Sequence, residues 1–146
     1  VSTATRSSRT EAGSASGEAA VLYDEDCGFC RWTLAKLLAW DRRGALRPVA
    51  IRSREGERLL AGMAPERRLA SWHLVQEGRR WSAGAAFAPL FSLLPGGRAP
   101  AWLAARAPRL SEAGYALVAR NRGILGRLLT DGAKRRADER IRRRSG

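Results

Sequence analysis

The chain has 146 residues, carries 27 Lys and Arg against 14 Asp and Glu for a formal charge of +13, and contains two cysteines. That length supports one domain with its own core, without disulfide staples or a structural metal. No apolar run reaches the roughly 18 residues a membrane span needs, and the first twenty residues lack the apolar stretch of a secretory signal, so a cytoplasmic protein is the expectation.

Residues 1–18 are Ser, Thr, Ala, Gly and scattered charge, the composition of a disordered leader, and the fold is expected to begin at Ala19. "AAVLYD" then reads as a short buried strand. "CGFC" opens "RWTLAKLLAW", where Trp32, Ala35, Leu38 and Ala39 recur at helical spacing and Leu34 and Leu37 widen the stripe. "DRRG" stops this helix with cations and a glycine. "ALRPVAI" is a second strand, Pro48 marking an edge or an irregular start, and residues 54–62 form a short second helix.

"SWHLVQ" is a third strand, "EGRR" a hairpin turn, and a brief fourth strand surrounds Trp81. Residues 84–94 are helical, with Phe87, Leu90, Phe91 and Leu94 on one face. "LPGGRAP" reads as a loop. Helices over residues 101–106 and 111–121 follow, with Arg120, Asn121 and Arg122 as a charged helix end, and Leu125, Leu128 and Leu129 form a last apolar turn. Trp32, Trp72, Trp81 and Trp102 read as core or rim packing.

The positive charge is mostly Arg spread along the chain. Only "KRRADERIRRRSG" concentrates it, with seven basic against two acidic residues. Residues 131–146 are therefore expected to be a solvated basic tail, and weak contact with nucleic acid or an anionic surface is the partner such a tail suggests.

The order strand, helix, strand, helix, hairpin, helix is that of the thioredoxin fold. The expectation is an α/β protein with a thioredoxin-like redox domain over residues 19–130 and a C-terminal helical extension. C-x-x-C falls where that fold carries its active site.

Cys27 and Cys30 close too small a loop to restrict the unfolded chain much, so a disulfide between them is reactive rather than structural. At a helix N-terminus, unpaired N–H groups and the positive end of the macrodipole favour a Cys27 thiolate, the nucleophile of thiol–disulfide exchange. Cys30, one helical turn on, resolves the mixed disulfide. Gly28 leaves the approach open and Phe29 offers an apolar contact; Trp32, Ser71 and Trp72 are the other candidates for a substrate groove.

Asp24, Glu25 and Asp26 place like charges near the nucleophile and should hold the thiolate back. Asp24 is either a general base for Cys30 or a cap, and Asp26 reads as a helix cap.

"YDEDCGFC" resembles the D-x-x-C-x-x-C signature of the DCC family of predicted thiol–disulfide oxidoreductases, with Asp24, Cys27 and Cys30 in the signature positions. "SWHLVQEGRRWSAGAAF" is similar to the family's strand, turn and helix start, and "GYALVARNRGILG" to its C-terminal helix and Asn-Arg run. The resemblance implies a thioredoxin-like domain with disulfide-reductase activity on protein or small-molecule disulfides and thiols, supplied by an electron donor the sequence does not identify. Glu25 stands where the family commonly has Gly, Gly84 where it commonly has Asp, and no proline precedes "WHLV".

No cofactor is expected beyond the redox-active Cys27–Cys30 pair, and no metal. A structural zinc needs four ligands, and His73 is the one further soft ligand in the chain, on a strand where a core or surface histidine is the simpler reading. The competing function is a basic nucleic-acid or anionic-surface binding module with incidental cysteines.

Overall fold

A computed structural model describes residues 17–146; the proposed leader lies outside the described residues except for Gly17 and Glu18. Four strands, β1 (Ala19–Tyr23), β2 (Leu46–Ala50), β3 (His73–Gln76) and β4 (Arg79–Ser82), form one sheet of order β2-β1-β3-β4. β1 runs parallel to β2 and antiparallel to β3, and β3 and β4 are a hairpin. Pro48 sits on the edge strand β2, where a missing N–H costs no ladder bond.

β1 is central, and its alternating side chains build two cores. Ala19 and Val21 join Leu34, Leu38, Leu74, Leu90 and Leu94 on one face; Ala20 and Leu22 join Val49, Ile51 and Leu60 on the other. The first face is covered by α1 (Gly28–Trp40) and α4 (Phe87–Leu93), the second by α2 (Arg54–Leu59) and the segment that follows it. α3 (Pro65–Ala70) buries no residue. It therefore leaves no apolar stripe in the sequence, and Pro65 at its first turn is its one readable signal.

α5 (Arg98–Arg106) begins inside the stretch expected to be a loop, and Trp102 on it is 59% exposed with the Arg106 guanidinium over its ring, so it is not core. α6 (Pro108–Leu128) is far longer than residues 111–121. Arg120, Asn121 and Arg122 lie within it rather than at its end, and the Asn121 amide donates to the Leu117 carbonyl one turn back, at 2.7 Å. α6 passes so close to the turn at residues 83–86 that a Cβ at Gly84 would stand 2.6 Å from the Glu112 nitrogen. Glu112 in turn accepts the Ala85 N–H at 2.9 Å, so the acidic acceptor for this turn comes from another helix.

The basic C-terminal segment is a helix, α7 (Asp131–Ser145), capped by Thr130 and packed along α1. Ala137 and Ile141 are buried. Arg144 reaches the buried Asp41 carboxylate at 2.8 Å and donates to the carbonyls of Leu38 and Asp41 at the end of α1. Much of what the sequence offers as a solvated tail is therefore bound into the fold.

His73 is 1% exposed, with Ser82 Oγ 2.7 Å from Nδ1 and the Arg68 carbonyl 2.9 Å from Nε2. The carbonyl can only accept, so Nε2 carries the hydrogen and Nδ1 accepts from the serine. Both nitrogens are engaged in the core, which explains this histidine without a metal. Burial pushes its pKa below the ordinary 6.5. The unfolded chain thus takes up the proton first as pH falls, so stability rises with pH from the depressed value to about 6.5 and is lost on the acid side. Urea unfolding at about pH 7 and about pH 5 should show a smaller acid-side loss in His73→Gln than in the parent; equal losses would mean that His73 titrates alike in both states.

Candidate active site

The end of β1 turns into α1 through the acidic triplet. The Cys27 N–H donates to the Asp24 carbonyl at 3.2 Å, and the Asp26 N–H donates to the Asp24 carboxylate at 3.1 Å. Asp24 thus folds the turn that presents Cys27.

Cys27 itself, not Asp26, is the N-cap of α1: its extended backbone precedes the helix and its Sγ accepts the Cys30 N–H at 3.2 Å. That N–H and the helix dipole both favour negative charge on the Cys27 sulfur. Cys27 and Cys30 are joined in a disulfide, their Cα atoms 5.2 Å apart.

The triplet does not stand bare. Arg52, at the start of the β2–α2 connection, reaches the Asp24 carboxylate at 2.9 Å, Asp26 at 2.8 Å and Glu25 at 3.8 Å. Its own pKa is raised, first by the hydrogen bond to Asp24 and then by the charges of the triplet. One guanidinium shared by three carboxylates offsets part of the repulsion the sequence alone suggests, and Asp26 pairs with it instead of capping the helix.

Two depressions meet at the disulfide. An apolar cavity of about 540 Å³ lies between α1, α4 and α6, with Cys30, Phe29, Ser71 and Trp72 among its walls. Trp72 packs against Phe87, ring centres 5.7 Å apart, and Tyr115 from α6 closes another side. Burial raises the pKa values of both Tyr23 and Tyr115, keeping these cavity-lining phenols neutral.

The second depression, about 660 Å³, is polar and is lined by Cys27 and Gly28 with residues of α6 and α7. Asp24 and Phe29 line both. Seven of the eight sequence-derived site residues therefore converge, while Trp32 lines neither depression and stacks on Phe29 at 6.1 Å beneath the Lys36 ammonium. Arg31, Arg120, Arg122, Arg127 and Lys134 on the wall beside Cys27 went unread as site residues. For Arg120 and Arg122 the signal was the Asn-Arg run of the family resemblance and for Lys134 the basic C-terminal segment, while Arg31 and Arg127 carried none.

A mixed α/β sheet of this order, with C-x-x-C at the N-terminus of its first helix, defines a thioredoxin-like fold with a C-terminal helical extension. The chain belongs to the DCC1-like thiol-disulfide oxidoreductase family, whose model matches residues 21–128 and so ends before α7 begins. The family carries thiol-disulfide oxidoreductase chemistry, acting on thiols or disulfides. No curated protein and no solved structure matches the chain. Among the described residues no helix is long and apolar enough to cross a membrane.

Proposed function

We propose that the domain is a protein-disulfide reductase in which Cys27 attacks and Cys30 resolves. The observation that carries this reading is the N-cap geometry of Cys27, whose sulfur accepts a helix N–H while lining an open cleft. Cys30 lines the apolar cavity instead, surroundings that disfavour a thiolate and suit a resolving thiol. Asp24 fits the role of proton acceptor for Cys30, since it lines both depressions. Phe29 and Trp72 offer apolar surface to a substrate chain and Ser71 a hydroxyl beside it, and Gly28 leaves the approach to Cys27 open.

The two sulfurs store the two electrons of the exchange, so the reaction so written calls for no further cofactor. The reducing direction belongs with a reducing compartment such as the cytosol. Insulin reduction followed by turbidity tests the reading: with dithiothreitol as the ultimate reductant, catalytic amounts of the protein should bring precipitation forward. A time course identical to dithiothreitol alone would count against a protein-disulfide reductase.

A further inference from the structure

The polar cleft beside Cys27 is lined by five cationic side chains from three helices: Arg31 of α1, Arg120, Arg122 and Arg127 of α6, and Lys134 of α7. Its two lining carboxylates, Asp24 and Asp26, are both held by Arg52. Arg31 pairs with Asp138 at 3.0 Å, yet its Nε is buried without an acceptor. Among the described residues Arg120, Arg122, Arg127 and Lys134 have no ion-pair partner.

The Lys134 arm lies against the residue after the nucleophile: a Cβ at Gly28 would be 3.6 Å from Lys134 Cε. Cations so gathered repel one another, and an anion relieves that repulsion. The cleft's size falls within the range of small-molecule sites.

We propose that this cleft binds a small thiol bearing carboxylates, and that this acidic thiol is the reductant that recharges the Cys27–Cys30 pair. The proposal rests on the reading of Cys27 as the exchanging sulfur. In the first step the thiolate of one molecule attacks Cys27 Sγ; the Cys27–Cys30 bond breaks, and Cys30 leaves as a thiolate and takes a proton. A second thiolate attacks the sulfur of the first molecule, breaking its bond to Cys27. The products are a small symmetrical disulfide and the reduced pair. Two electrons pass from the two thiols to the protein, and every step reverses.

Reversibility makes the reduced protein a convenient test object. Its rate constants with three disulfides should be measured: dithiodipropionate, which is anionic, hydroxyethyl disulfide, which is neutral, and cystamine, which is cationic. Intrinsic reactivity cancels when each reagent is compared with itself across ionic strength. Between about 0.01 M and about 1 M salt, where the screening length falls from about 30 to about 3 Å, the anionic-to-neutral ratio should fall about tenfold, within the range of steering effects. The cationic-to-neutral ratio should rise.

The double variant Arg127→Gln, Lys134→Gln should show a lower anionic-to-neutral ratio at low salt than the parent. A ratio that ignores both salt and substitution overturns the proposal, as does faster reaction with cystamine than with dithiodipropionate at low salt after normalisation to high salt. The salt series needs only the parent protein, so its failure overturns the proposal even if the variant folds poorly, while the variant assigns a positive result to the cleft rather than to the net charge of +13. Failure to reduce even the neutral reagent would instead overturn the exchange chemistry at Cys27.

Discussion

Cys27→Ser should abolish disulfide reduction, whereas Cys30→Ser should retain the first chemical step and accumulate a mixed disulfide with the substrate. The asymmetry follows from where the two sulfurs sit. Cys27 occupies the N-cap, accepts the Cys30 N–H and opens onto a cleft whose wall carries five cationic side chains. Cys30 is inside the first turn of α1 and faces an apolar cavity.

Thiolate exchange depends on the anionic fraction and on access, and both favour Cys27. A serine at position 27 still accepts the N–H, so the helix start survives, but a hydroxyl does not exchange with a disulfide. In Cys30→Ser the adduct on Cys27 lacks an internal thiol to displace it. Non-reducing mass spectrometry after exposure to a model disulfide measures this directly. The Cys30→Ser protein should gain one substrate half and the Cys27→Ser protein none; equal adducts on both would reverse or erase the assignment of roles.

The parts of the fold legible in the sequence are those with an apolar period. β1 is a five-residue apolar run because it is buried on both faces, and α1 shows its stripe because one face meets the sheet. The C-x-x-C motif needed no tertiary knowledge, since its chemistry is local.

The cavity depends on α6 packing against α1, and the cationic cleft on both α6 and α7 doing so, and no periodicity records that. Arg120 and Lys134 are distant from Cys27 in the chain and meet it only through packing. Arg52 was equally hidden: its partnership with the acidic triplet spans 28 residues to Asp24. α7 escaped recognition because its buried surface is two residues, Ala137 and Ile141, among seven basic ones. Charge density looks the same on a helix with a buried seam as on a free tail.

The seam makes α7 the place where a surface-looking substitution should have a large effect on stability. Arg144→Ala removes donors at 2.8 Å from a carboxylate, Asp41, whose side chain is fully buried. Asp41 retains the N–H groups of Ala45 at 3.0 Å and Leu46 at 2.8 Å, so it is not wholly abandoned. The carbonyls of Leu38 and Asp41 at the end of α1 lose the same guanidinium.

Breaking a buried pair by deleting one partner costs about 3–5 kcal/mol. The Arg144 side chain is 29% exposed, so water re-enters, and the lower end, about 3 kcal/mol, is the expectation. For a chain of this size that is a fall in Tm of roughly 6–12 °C.

Arg143→Ala, one residue earlier at an exposed position, is the control and should leave Tm unchanged within error. Replacing Asp41 with Asn first should shrink the effect of Arg144→Ala, because a neutral amide tolerates the loss of its cation better than a buried carboxylate does. Equal melting temperatures for Arg144→Ala and Arg143→Ala would mean that α7 rests on the surface of the domain. A large fall confined to Arg144→Ala would make the helix part of the core, and with it Lys134, which α7 holds against the residue after Cys27.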